Sequence, residues 1–134
     1  MAVIKMKKDG KWERVFCGTN LGENTIDIIV DVTSGDKIIE ISSLYKNLEY
    51  RYLYASGITS LTLNPSSDLF TNDTELYYSI DFISGTTPTQ INNNLNVYFK
   101  GDDCLNGIFT PMATKNYEIG IWWNGIGWNA VVRG

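Results

Sequence analysis

Apolar and polar residues alternate with a period of two along most of this chain. In "NLEYRYLYAS", Leu48, Tyr50 and Tyr52 alternate with Glu49 and Arg51. Side chains repeat every two residues in a strand and every 3.6 residues in a helix, so this pattern indicates strands. About nine or ten such runs recur at intervals of roughly ten residues, without a helical pattern between them. The sequence therefore predicts an all-β protein, specifically an antiparallel, jelly-roll-like β-sandwich.

The alternation also predicts which side chains face the core. One run, 25–32, is expected to point its four apolar residues inward and its two aspartates outward: Ile26, Ile28, Val30 and Val32 against Asp27 and Asp31. In the run 76–82 the expected inward set is Leu76, Tyr78, Ile80 and Phe82. In the last pair of strands it is Tyr117, Ile119, Ile121 and Trp123, with Glu118, Gly120 and Trp122 on the other face.

The first 24 residues predict a separate element. Asp9-Gly10 lies between two alternating runs, and both residues suit the positive φ angles of a type I′ hairpin turn. Ile4, Met6 and Trp12 are the candidate contacts of this hairpin, and the Gly/Asn-rich segment after it reads as a linker. We therefore expect an assembly or attachment element in residues 1–24 and a β-sandwich domain in residues 25–134.

The charge of the chain argues against binding to nucleic acid or insertion into a membrane. Its net charge is −4, and no Lys/Arg cluster extends beyond the first hairpin. The chain therefore offers no basic surface to bind the phosphate backbone of a nucleic acid. The N-terminus lacks the apolar run of a signal peptide, and no segment approaches the roughly 18 residues that span a bilayer. We expect synthesis in a bacterial cytoplasm and no membrane insertion.

The sequence lacks the residues that most catalytic mechanisms need. There is no histidine, which excludes Ser-His-Asp and Cys-His machinery and imidazole metal ligands. Asp102 and Asp103 lie in a Gly-containing segment typical of a solvated turn, and they do not form an EF-hand. Cys17 and Cys104 are too few and too far apart for a zinc site or a disulfide framework. We expect no enzyme activity, no metal and no cofactor; a glycosidase with two carboxylates is the weakest of three hypotheses.

The aromatic residues are the feature that suggests function. Three of the four tryptophans lie within seven residues near the C-terminus. Trp122 is expected on the face opposite Trp123, and Trp128 follows a Gly-rich turn, so both are candidates for exposure. With Asn124 and Asn129 they are the candidate ligand or interface residues. They would form either a platform on which a sugar stacks or the apolar centre of a subunit contact.

Two segments resemble small structural proteins of tailed bacteriophages. These are the opening "IKMKKDGKWERV" and the close "GIFTPMATKNYEIGIWWNGIGWNAVVRG", in which residues 107–125 follow a recurrent motif of head-fibre, decoration and tail-fibre or baseplate modules. The middle segments "DFISGTTPTQI" and "VYFKGDDC" are similar to further stretches of those proteins. The chain has no coiled-coil or collagen-like shaft, so a short knob or decoration protein fits better than a full fibre.

The resemblance implies a jelly-roll-like domain that is attached to a virion and has no enzymatic activity. Such domains are usually trimeric, so the expected partners are two further copies of the chain, in a homotrimer, and other virion proteins. A host cell-surface glycan is the alternative partner if the C-terminal tryptophans form a receptor-recognition site. The expected location is the virion.

Overall fold

The computed structural model describes residues 3–8, 11–16, 27–70 and 73–134, the first two ranges as backbone. The described residues form strands and no helix, as the all-β prediction requires. In chain order the strands are β1 (Val3–Lys8), β2 (Lys11–Phe16), β3 (Asp27–Asp31), β4 (Asp36–Ile41), β5 (Asn47–Tyr52), β6 (Ser60–Pro65), β7 (Tyr77–Ile83), β8 (Gln90–Asn93), β9 (Tyr98–Gly101), β10 (Cys104–Leu105), β11 (Ile108–Phe109), β12 (Asn116–Trp123) and β13 (Trp128–Arg133).

The strands form one large sheet and two small ones. The large sheet has the order β2-β1-β3-β5-β7-β12-β13-β9, a second sheet has the order β4-β6-β8, and β10 pairs with β11. From β3 to β8 the chain alternates between the first two sheets, and successive strands of each sheet are parallel. This winding is that of a short parallel β-helix. The prediction of antiparallel, jelly-roll pairing is therefore wrong for β3–β8.

Antiparallel pairing is found after the parallel winding of β3–β8 ends. β12 lies between β7 and β13 and pairs with both in the antiparallel sense. The hairpin expected around Asn124-Gly125 is confirmed, since Trp123 lies opposite Trp128 across this turn. β9 then completes the sheet parallel to β13. The large sheet is therefore continuous across the neighbouring strands β5, β7, β12, β13 and β9.

One hydrophobic cluster contains the inward residues of both larger sheets. The inward faces predicted for β7 and β12 are confirmed, because Tyr78, Phe82 and Ile121 are each at most 2% exposed. Tyr78 also links the sheets by hydrogen bonds. Its hydroxyl donates to the carbonyl oxygen of Ser42 and accepts from the Ser42 N–H, both at 3.0 Å.

The inward set predicted for β3 is only partly right: Val30 is buried, but Ile29 and Asp31 rather than Ile28 and Val32 are turned toward the core cluster. Asp31 is 1% exposed, while Val32 is 42% exposed. Asp31 is expected to be excluded from a core because burial of an unpaired charge is costly, but here its carboxylate is fully engaged. It accepts hydrogen bonds from the N–H and hydroxyl of Thr33, at 2.8 and 2.5 Å. It also forms an ion pair with the Lys37 ammonium group at 3.2 Å. The buried lysine makes the aspartate compatible with an inward position.

The N-terminal strands extend the large sheet. β1 and β2 are paired antiparallel, and β1 joins β3 in parallel with Ile4 opposite Ile28 and Met6 opposite Val30. The expected turn at 9–10, the linker and the side chains of Ile4, Met6 and Trp12 lie outside the described residues. The division into residues 1–24 and 25–134 stays a prediction.

Candidate functional site

The face of the large sheet that points away from the core carries a band of aromatic and charged side chains. Strand register places Tyr77, Trp122 and Asn129 side by side on β7, β12 and β13. Four residues after Tyr77 on β7 is Asp81, and it lies opposite Glu118, four residues before Trp122 on β12. Cross-strand neighbours on one face have Cβ atoms about 4.5–5.5 Å apart, so each row forms a continuous contact surface.

Tyr77, Trp122, Asp81 and Glu118 line a groove of about 370 Å³, which we call the outer-face groove. A second depression of about 480 Å³ shares Asp81, Glu118 and Arg133 with it and extends toward Asn116. The two depressions follow β7 from Tyr77 to Ile83, a stretch of strand roughly 20 Å long at about 3.3 Å per residue. These dimensions suit an extended chain better than a compact molecule.

Two aromatic side chains lie at one end of the groove. Tyr77 is 48% exposed, and Trp122 is half-buried. Among the described aromatic rings, neither of these two stacks on another ring. Both side chains line the groove and are free of other rings, so they are available to a molecule that enters it.

The middle of the groove has an excess of negative charge. Glu49, Asp81 and Glu118 contribute carboxylates, while Arg133 is the guanidinium in the lining. Glu49 is paired with Arg51 through two contacts of 3.3 Å. Partial burial, followed by the nearby charges of Glu118 and Glu49, raises the pKa of Asp81, and Arg51 opposes the rise. Asp81 and Glu118 are thus an adjacent pair of like charges.

The structure places the four residues predicted as ligand or interface candidates in three different settings. Trp122 lines the outer-face groove, and Asn129 lies opposite it on β13. Asn124 is a turn residue whose side-chain oxygen accepts the N–H groups of Ile126 and Gly127, both at 2.9 Å. Only Trp122 and Asn129 are brought together on the outward face.

Trp128 is not exposed, contrary to the prediction. It is 8% exposed and packs against Trp123 with ring centroids 5.4 Å apart in an edge-to-face arrangement. The register explains the error, because Trp128 lies directly opposite Trp123 and residues opposite each other share a face. The four residues between the two tryptophans determine this pairing.

Asp102 and Asp103 form the expected turn, and both also have structural partners. The Gly134 N–H donates to Asp102 at 2.9 Å. Asp103 accepts hydrogen bonds from the Tyr117 hydroxyl at 2.5 Å and from Lys115 at 2.9 Å. These two donors lower the pKa of Asp103. In the part of the chain described by the structure, no group of three or more acidic or cysteine side chains could hold a metal ion.

Most groove residues were not identified as a site from the sequence. The alternation places Glu49, Tyr77, Asp81 and Glu118 on outward faces, which is the signal that was present. What the alternation omits is which strands are neighbours. Only the order β5-β7-β12-β13 brings these outward residues into one groove.

No segment among the described residues forms a helix that could cross a membrane. Comparison with protein-family models, with curated proteins and with solved structures gave no match to this chain. The chemistry of the outer-face groove is therefore the basis for assigning a function.

Proposed function

We propose that the outer-face groove binds a saccharide and that the chain acts as a glycan-recognition module. The observation that carries this proposal is the pairing of two ring faces, those of Tyr77 and Trp122, with polar groups along one groove. Sugar rings present C–H groups on their faces and hydroxyls at their edges. Aromatic faces suit the former, while carboxylates and amides suit the latter.

The charge of the groove narrows the class of saccharide. Glu49 is paired with Arg51, which leaves the carboxylates of Asp81 and Glu118 against the Arg133 guanidinium. This excess of negative charge disfavours an anionic polymer at short range, where salt screens charges least. Asp81 has no ion pair within 4.0 Å among the described residues. A neutral saccharide fits this lining, and one with a protonated amino group fits it better because the cation would relieve the repulsion between Asp81 and Glu118.

The setting that we propose for this module is a phage virion, on the strength of the resemblance in the N- and C-terminal segments. There the chain would act without enzymatic activity, as a homotrimer bound to other virion proteins. We propose a two-layer sandwich for the overall arrangement, because inward residues from both larger sheets share one hydrophobic cluster. Assembly contacts would come from the N-terminal strands and would leave the groove free for a host glycan.

Replacing Trp122 with alanine tests the proposed function. Neutral, amino-bearing and anionic oligosaccharides would be titrated calorimetrically against the wild-type chain and the variant. We expect Trp122→Ala to weaken binding about tenfold, since a stacked ring contributes on the order of 1 kcal/mol beyond its buried area. Phe70→Ala is the matched control, because Phe70 is 69% exposed and does not line the groove.

Equal affinity of wild type and Trp122→Ala, or preferential binding of anionic glycans, would contradict the proposal. The same titrations should be checked for newly released reducing ends. Asp81 and Glu118 are a carboxylate pair of the kind that a glycosidase needs. Release of reducing ends that Asp81→Asn abolishes would assign hydrolysis instead of recognition.

A further inference from the structure

Tyr77 lies across Gly120 in the floor of the outer-face groove. A β-carbon built on residue 120 would lie 2.3 Å from the Tyr77 hydroxyl oxygen and 3.1 Å from the ring carbon that bears it. Real Cβ atoms do not approach other heavy atoms to 2.3 Å. The tyrosine therefore occupies the space that any other residue at position 120 would fill.

The backbone of Gly120 does not itself require glycine. Its φ angle is outside the left-handed region, unlike those of Gly101, Gly107 and Gly125. Glycine inside a strand weakens the strand and often marks a close approach of another group. In β12 that group is a side chain of the groove.

The strand register shows how far the Tyr77 ring leans. Tyr77 is directly opposite Trp122, and Ser79 is directly opposite Gly120. The ring thus reaches its diagonal neighbour, a distance of about 7–8 Å that aromatic side chains can span. In this position the ring lies along the sheet, and the hydroxyl points over β12 between Glu118 and Trp122.

We propose that Gly120 is the positioning residue of the groove: it keeps Tyr77 flat on the sheet, so that the Tyr77 ring face and hydroxyl meet the ligand together with Trp122. This inference rests on the proposed saccharide binding and specifies how the site is shaped. A methyl group at position 120 would lift the ring into the groove, where it would block the ligand and lose its alignment with Trp122.

The position of the ring is tested first without any ligand. Proton NMR of the wild-type chain should show nuclear Overhauser contacts between the Tyr77 ring and the Gly120 α-protons, and an upfield ring-current shift of those protons. The shift should vanish in Tyr77→Ala. Absence of the contacts in the folded wild-type chain would overturn the inference, whatever the chain binds.

The role in binding is tested with a double-mutant cycle on the best neutral or amino-bearing oligosaccharide. We expect Gly120→Ala and Tyr77→Ala each to weaken binding about tenfold, and the double variant to be no weaker than Tyr77→Ala, because both remove the same contact. Gly127→Ala is the matched control, since a β-carbon there meets nothing within 4 Å. Its affinity should equal that of the wild type.

The outcomes separate this inference from the proposed function. Independent, additive effects of the two substitutions, or wild-type affinity in Gly120→Ala, would overturn the positioning role while saccharide binding stands. If the NMR contacts are present and the wild-type chain binds none of the oligosaccharides, the proposed function fails and the binding role of Gly120 fails with it. Thermal unfolding of each variant confirms that losses of affinity come from a folded chain.

Discussion

At the scale of single residues, the Lys37–Asp31 pair is the most demanding feature of the core. Both side chains are at most 5% exposed. The lysine donates to Asp31, to the Thr33 hydroxyl at 2.8 Å and to the Ser34 carbonyl oxygen at 3.0 Å, and it lies 5.8 Å from the centre of the Tyr52 ring. Every donor of the ammonium group is thereby used. Desolvation of the two charges is offset only while both partners are present.

Replacing Lys37 with methionine should therefore destabilise the chain strongly. The substitution leaves Asp31 buried with Thr33 alone as a partner, and breaking a buried pair from one side costs about 3–5 kcal/mol. Urea unfolding at neutral pH measures the change in free energy of unfolding. Lys100→Met is the control, because Lys100 is exposed and a change below about 1 kcal/mol is expected there. Equal stability of the two variants would contradict the assigned role of the buried pair.

At the scale of strands, Asp81 on β7 and Glu118 on β12 are like charges in directly opposite positions. Such pairs destabilise a sheet. Partial burial and this repulsion raise the pKa of Asp81 above its ordinary value of 3.8. The folded state therefore binds a proton more readily than the unfolded state, and the ionised Asp81 costs stability at neutral pH.

We expect Asp81→Asn to raise the free energy of unfolding at pH 7 by about 0.5–1 kcal/mol. The gain over the wild type should shrink as the pH falls through the raised pKa of Asp81, because the protonated wild-type side chain then resembles asparagine. Urea unfolding at a series of pH values from 7 to 4 measures both variants. Asp68→Asn serves as the control on an exposed turn. A stability gain that does not change with pH would contradict this explanation.

The same strands show what the sequence could and could not reveal. Alternation correctly placed Tyr78 and Ile121 inward and Trp122 outward, because sidedness follows from the backbone of a single strand. It could not distinguish parallel from antiparallel neighbours, which have the same period. It also misjudged Asp31 and Trp128, because alternation within one run shows neither the Lys37 partner of Asp31 nor the register that the turn at 124–127 imposes. The groove required the register of four strands, which no single run of residues contains.

At the scale of the whole molecule, the N-terminal strands join the large sheet at the end farthest from β13 and β9. The hydrophobic cluster and the side chains packed against it extend from Ile29 to Val132. β1 joins the large sheet at its β3 side, away from the strands that form the outer-face groove. Loss of β1 and β2 would remove backbone pairing from β3 and leave the described core residues in place. Assembly and glycan binding would then use different parts of the molecule.

This separation predicts the effect of deleting residues 1–24. The chain with residues 1–24 should sediment as a trimer, with three times the 15.1 kDa mass of one chain. The chain without them should sediment as a folded monomer that still binds the oligosaccharide. Sedimentation velocity at micromolar concentration, with titration calorimetry on the same samples, measures both properties. Full-length Trp122→Ala is the control, since it should remain a trimer with weakened binding. A monomeric full chain would contradict the trimer. A trimer that survives the deletion would place the assembly contact on the remaining strands and contradict the assigned role of residues 1–24.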